Sequence, residues 1–143
     1  MKHIKYNIIF WGFLLAFLYC DKDKGVETTS IIKKGDLLYY RGEDYPYTGK
    51  YYGYSGDQKF QGYIKNGKQE GKFFVWYENG RLQTISHQKN GELNGKCTTW
   101  YSNGKKSSVS YYTNGKLDGK YTKWDLNGKI SKISYYKNGI EIK

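Results

Sequence analysis

Beyond residue 20 the chain holds one histidine, His87, and one cysteine, Cys97. These are the side chains best suited to nucleophilic or metal chemistry. A cysteine nucleophile needs a base within hydrogen-bond reach, and a structural zinc site needs more thiol and imidazole donors than these two. His87 occupies a position where neighbouring stretches carry Tyr111 and Tyr135, so a ring-bearing strand position explains it better than proton transfer. Cys97 shares its position with Phe73 and Tyr121 and reads as a packing residue. The acids are scattered beside turns, without the facing pair of a glycoside hydrolase. Gly-Lys recurs at 71–72, 95–96 and 119–120, but no G-x-x-x-x-G-K-[ST] loop feeds a helix, so no phosphate cradle is implied. The expectation is a protein with no catalytic residue, no metal and no cofactor.

The elements that hold these residues repeat. Three stretches align without gaps at 71–94, 95–118 and 119–142, and a looser copy covers 49–70. Identical positions include Gly71, Gly95 and Gly119, the lysines that follow them, Trp76, Trp100 and Trp124, and Ser86, Ser110 and Ser134. Two Asn-Gly pairs recur in each stretch: Asn79-Gly80, Asn103-Gly104 and Asn127-Gly128, then Asn90-Gly91, Asn114-Gly115 and Asn138-Gly139. Self-similarity at a fixed short period marks a repeat architecture. Seventeen tyrosines and eighteen glycines against one proline suit strands joined by tight turns. The predicted fold is all-β, an elongated antiparallel meander of tandem 24-residue β-hairpins forming a largely single-layer twisted sheet over 37–143.

Asn-Gly between two β-rich runs favours a two-residue type I′ turn. Placed at Asn79-Gly80, it sets Trp76 opposite Gln83 and Phe74 opposite Ile85. Side chains alternate along strands, so one face carries Phe74, Trp76, Ile85, Trp100, Val109, Trp124 and Ile133. The other carries Phe73, Tyr77, Leu82, Ser86, Cys97, Tyr101 and Ser110. The tryptophan face is the more consistently apolar and is the predicted packed or concave side.

The N-terminus reads differently. Residues 1–7 are short and basic, 8–19 are almost purely apolar, and Cys20 follows at once. This is the layout of an export signal. As a helix the apolar run spans about 18 Å, short of a bilayer core of about 30 Å. Cys20 resembles the lipidated cysteine of bacterial lipoproteins, the alternative being an uncleaved signal anchor. Either places the protein outside the cytoplasm, membrane-anchored at the cell envelope or surface. Residues 21–36 are mostly polar and read as a tether.

The G-K-x-x-x-W-Y-x-N-G-K/R runs from Gly71, Gly95 and Gly119, with Tyr112–Gly119 and the approach from Leu38 to Lys50, resemble the bacterial MORN-repeat variant found in YwqK-family antitoxins. The resemblance implies an interaction surface, with links to membranes and protein binding, and the antitoxin role implies a partner toxin.

The net charge is +11, and from Asn66 onward there are 14 basic and 6 acidic residues. Such a surface favours anionic partners. The expected function is a non-catalytic binding module facing a protein or envelope component, with Tyr111, Tyr112, Tyr135, Tyr136 and neighbouring lysines as contacts. Anionic lipid is a further partner, and nucleic acid is disfavoured by export.

Overall fold

The computed structural model describes residues 25–142. It contains β1 (Val26–Glu27), β2 (Ile31–Lys34), β3 (Leu37–Tyr40), β4 (Gly49–Ser55), β5 (Gln58–Lys65), β6 (Lys68–Gln69), β7 (Gly71–Trp76) and β8 (Leu82–Lys89). It continues with β9 (Glu92–Leu93), β10 (Gly95–Trp100), β11 (Lys106–Thr113), β12 (Lys116–Leu117), β13 (Gly119–Trp124), β14 (Ile130–Lys137) and β15 (Ile140–Ile142). A single 13-stranded sheet runs β1-β4-β5-β7-β8-β10-β11-β13-β14-β15, with β6, β9 and β12 pairing beside β5, β8 and β11. The pairing is antiparallel except between β1 and β4, which are parallel. The expected meander is what the chain forms.

Each unit has a six-residue strand, a loop, an eight-residue strand, a tight turn, a short strand and then the glycine that starts the next unit. Both corners carry Asn-Gly, but the type I′ turn lies at the second one. Asn66, Asn90, Asn114 and Asn138 all have φ between 48° and 54°, and their following glycines are also positive. The flanking residues pair directly, as in Lys89↔Glu92 and Thr113↔Lys116. Positive φ at both central residues defines the type I′ turn, whose twist matches that of the strands.

At the first corner only the glycine is left-handed, with Gly80 at φ 75°. Gly80 N donates to Tyr77 O at 2.9 Å and Tyr77 N donates to Arg81 O at 2.9 Å. This is a three-residue loop. Asn79 Oδ1 accepts from Arg81 N at 3.1 Å, and Asn103 Oδ1 accepts from Lys105 N at 2.9 Å. That side-chain bond competes for the backbone and holds the asparagine in an ordinary conformation. The longer loop shifts register between Val75 and Trp76, so Trp76 opposes Leu82 rather than Gln83, while Phe74 still opposes Ile85.

The type I′ corners also join units. Gly91 N donates to Gln69 O at 2.9 Å, Gly115 N to Leu93 O at 2.8 Å and Gly139 N to Leu117 O at 2.7 Å. On the opposite margin Tyr77 Oη donates to Trp100 O and Tyr101 Oη to Trp124 O, at 2.8 and 2.7 Å. Gly91 is a clean test of the turn. A Cβ there meets no atom within 4 Å, so only its φ of 89° opposes substitution. Gly91→Ala should therefore lower stability by about 1–2 kcal/mol, the left-handed penalty for an L-residue, as read by urea unfolding.

Burial corrects the predicted packed side. Among the described residues the buried large side chains, Ile64 and Tyr51, lie on the face opposite the tryptophans, as do the buried Ser86, Ser110 and Ser134. A serine in each hairpin stands across from a larger residue: Phe73↔Ser86, Cys97↔Ser110 and Tyr121↔Ser134. The small side chain is covered by its neighbour, which explains how a polar column becomes interior. On the tryptophan face Thr98 and Thr122 are buried, but Ile133 is 46% exposed.

The expected tether at 21–36 is folded from Gly25 on. Val26–Glu27 adds to the sheet through Val26↔Tyr51 and Glu27↔Tyr52. After a 3-10 turn at Thr28–Ser30, β2 pairs with β3 as a separate hairpin. Leu38 N donates to Gly67 O at 2.9 Å and Gly67 N to Tyr47 O at 2.8 Å, which ties this segment to the first type I′ corner. Polar composition hid this because the pairing is non-local. The export signal and Cys20 lie outside the described residues. Among the described residues, no helix is long and apolar enough to cross a membrane.

Candidate binding surface

His87 and Cys97 fall on opposite faces, since His87 opposes Lys72 and Cys97 opposes Ser110. The His87 Nδ1 lies 2.9 Å from Lys96 O, so that nitrogen holds the next unit in place. Burial pushes the Cys97 thiol above its ordinary pKa, partly offset by a hydrogen bond with Ser110. This is the electrostatics of an inert packing thiol rather than a nucleophile. No group of three or more His, Cys, Asp or Glu among the described residues is placed to hold a metal ion. A recess of about 430 Å³ is lined by Thr28, Ile31, Leu38, Tyr51, Phe60, Ile64, Gln69 and Phe73, where Tyr51 is the one titratable side chain.

The four tyrosines expected as contacts do not form one site. Adjacent strand residues point to opposite faces, so Tyr111 and Tyr135 share the tryptophan face while Tyr112 and Tyr136 share the serine face. Tyr111 and Tyr135 are 41% and 51% exposed, and Tyr112 and Tyr136 are half-buried. Tyr136 packs edge-on against Tyr121, with ring centroids 6.3 Å apart, and is occupied with structure.

What Tyr111 and Tyr135 join is a regular series. Directly opposed pairs are Lys50↔Tyr63, Lys72↔His87, Lys96↔Tyr111 and Lys120↔Tyr135. Each long hairpin thus presents one lysine and one ring at the same height on the same face. Opposed residues share a face, so the pairs form a track across the strands. All of these side chains are exposed except His87, which is half-buried. Lys72, Lys96 and Lys120 have no carboxylate partner among the described residues. The turn-side margin of this face adds Lys68, Lys89 and Lys116.

Two glycines of the Gly-Lys pairs, Gly95 and Gly119, have their use here. A Cβ on Gly119 would sit 3.3 Å from Tyr111 Cβ, and one on Gly95 would sit 3.5 Å from His87 Cβ. Both glycines have φ above 100°. The glycine lets the next strand close on the ring before it, and the lysine follows on the exposed face. The sequence signal was present: both the lysine and the ring columns recur. Only the register shows that they face each other.

Trp76, Trp100 and Trp124 line the loop-side margin of the same face, half-buried. Lys59 Nζ lies 5.8 Å from the Trp76 ring centroid and Lys106 Nζ 5.5 Å from that of Trp124. These are cation–π distances. Trp76 and Trp124 are therefore engaged within the sheet.

The serine face carries a polar cluster at its C-terminal end. Ser134 Oγ donates to Glu141 Oε1 at 2.6 Å, and Lys132 Nζ lies 3.3 Å from the same oxygen. The Ser134 hydrogen bond, then Lys132, holds the Glu141 carboxylate below its ordinary pKa. A depressed carboxylate contributes above its unfolded pKa, and the contribution is lost as pH falls through the lower folded value. Amide protection factors in Ile140–Ile142, relative to the intrinsic rate at each pH, should accordingly fall on acidification below the ordinary glutamate range, and Glu141→Gln should remove that pH dependence.

No curated protein matches the chain in sequence. The repeat boundaries do find a match, which starts in each short strand and ends at the asparagine of the type I′ turn. Residues 69–90, 93–114 and 117–138 are each similar to the MORN repeat variant.

Proposed function

We propose that this protein is an exported, non-catalytic binding module, held at a membrane through lipidated Cys20 and presenting its repeat sheet to a protein or envelope component. MORN repeats are in general binding modules, which mediate protein or membrane-lipid contacts. The observation that carries the reading is the exposed track of opposed lysine–ring pairs, repeated in register across the hairpins. Contacts on a repeat sheet add up across copies. Neutralisation of a partner toxin is a narrower form of the same reading, tested by protection on co-expression.

Mass spectrometry of the intact mature protein should find a chain beginning at acylated Cys20. Capture from envelope extracts should yield a saturable partner that is lost when Lys96 and Lys120 become glutamine. An unacylated chain retaining residues 1–19 would sink the anchor, and saturable capture indifferent to those lysines would sink the surface.

The lysine rows also favour peripheral contact with anionic lipid, at about 1 kcal/mol for each basic residue near the surface. Sedimentation with anionic vesicles, falling with salt, is its test.

A further inference from the structure

We infer that the ligand of the lysine–ring track is a linear acidic polysaccharide, in which carboxylated sugars alternate with uncharged ones, lying across the strands. This rests on the binding-module reading and adds the ligand's chemistry to it.

The track's shape comes first. It is one pair wide and crosses the long strands from Lys50 to Tyr135, which at about 4.8 Å per strand is roughly 34 Å. It lies on an open face rather than in a pocket, which suits an extended chain and not a small molecule. A planar surface would meet the whole face, but in the row beside the track Phe74, Ile85 and Val109 are half-buried and Thr98 and Thr122 buried, with Ile133 exposed at its C-terminal end. A narrow track therefore favours a line of contacts over a plane.

The chemistry alternates as the proposed ligand does. One cation recurs for every two strands, about 10 Å apart, and a ring stands between successive lysines. A pyranose residue is about as long as one interstrand gap. A carboxylated sugar beside Lys72, Lys96 or Lys120 thus leaves its uncharged neighbour beside His87, Tyr111 or Tyr135. The apolar face of a pyranose stacks on an aromatic ring, and the tyrosine hydroxyls face a ligand rich in hydroxyl partners. Single-stranded nucleic acid also stacks on rings, but one phosphate per nucleotide is a denser series than one lysine per hairpin. On the turn-side margin Lys65, Lys68, Lys89, Lys116 and Lys137 outnumber Glu92, opposite Lys89, and Asp118, 3.2 Å from Lys137, and a net positive field draws in a polyanion.

The experiment is titration of the full-length protein in mild detergent with hyaluronan oligosaccharides. Parallel arms use oligo-dT, phosphatidylglycerol vesicles and neutral dextran. Saturable binding of hyaluronan and none of dextran is expected. K96Q/K120Q should weaken it about tenfold, from two exposed ion pairs. Tyr111→Leu with Tyr135→Leu should weaken it similarly, while Tyr111→Phe with Tyr135→Phe retains it because the ring remains. The charge-matched K33Q/K129Q should bind like the parent, and unchanged far-ultraviolet spectra establish that each variant is folded. Equal weakening in K33Q/K129Q, or no difference between leucine and phenylalanine at the tyrosines, would overturn the inference. Tighter binding of oligo-dT or of vesicles than of hyaluronan would overturn it in favour of those ligands. Absence of hyaluronan binding with a saturable envelope partner still captured would overturn the glycan alone. Absence of both would remove the binding module as well.

Discussion

Tyr51→Ala should lower the unfolding free energy by about 3–5 kcal/mol, the cost of emptying a packed aromatic site. Tyr51 is 4% exposed. Its ring forms a triangle with Phe60 and Phe73, each 6.4 Å away between centroids and 6.0 Å from one another, and its hydroxyl accepts from the Gln69 side chain. It borders the same recess as Ile64, and β1 pairs with its backbone. Most of the sheet has little buried hydrocarbon, so this corner carries a disproportionate share of stability. In a repeat array, stability is approximately a sum of unit and nearest-neighbour terms. The loss should therefore be local: amide exchange is expected to accelerate first in Gly49–Ser55 and Gln58–Lys65, and least in Ile130–Lys137. Uniform acceleration across all units would show that the sheet melts as one body.

Alkaline titration supplies an independent reading of the same site. Burial pushes the Tyr51 hydroxyl up to about 12, against an ordinary value near 10. An acid whose folded pKa is raised is held in its neutral form by the fold, so stability falls as pH rises between those two values. Tyr51→Phe should remove that decline while giving up the bond with Gln69, a loss of about 1 kcal/mol at neutral pH.

How much was legible in the sequence depended on whether a signal was local. Phe74 opposite Ile85, and Cys97 opposite Ser110, follow from strand counting between recurrent Asn-Gly pairs. Sequence does not say which corner takes the type I′ turn, because both corners carry the same dipeptide. What separates them is the hydrogen bond from Arg81 N or Lys105 N to the preceding asparagine side chain, which a dipeptide does not encode. The serine column looked like surface because serine is polar, yet Ser86, Ser110 and Ser134 are buried opposite larger residues. The N-terminal strands leave no local signal, since Val26 pairs with Tyr51, far along the chain. The binding track fell between these cases. Its tyrosines were named, but Tyr111 and Tyr112 were grouped as neighbours in sequence, whereas strand alternation puts them on opposite faces. Their true partners are Lys96 and Gly95 across the hairpin.

Gly62→Val should cost about 3 kcal/mol, at the upper end of overpacking penalties. Gly62 has ordinary strand backbone, and in open space a side chain there would be favourable, since glycine is the weaker strand residue. Space reverses the sign. A Cβ at Gly62 would lie 2.8 Å from Tyr51 Cε1, 2.9 Å from its hydroxyl and 3.0 Å from Phe73 Cδ2. Neither ring is a loose end: they stack on one another with Phe60 alongside. Tyr51→Leu should relieve part of the clash, so the double variant should be more stable than the sum of the single losses predicts. That coupling is what a double-mutant cycle measures for residues in contact, and strict additivity would place the damage elsewhere. The cycle also separates fold from function. Gly62 lies beside Tyr63, whose opposed Lys50 starts the track, while the Lys96–Tyr111 and Lys120–Tyr135 pairs belong to later hairpins. Binding through those pairs should persist in Gly62→Val at temperatures where the first hairpin has begun to open.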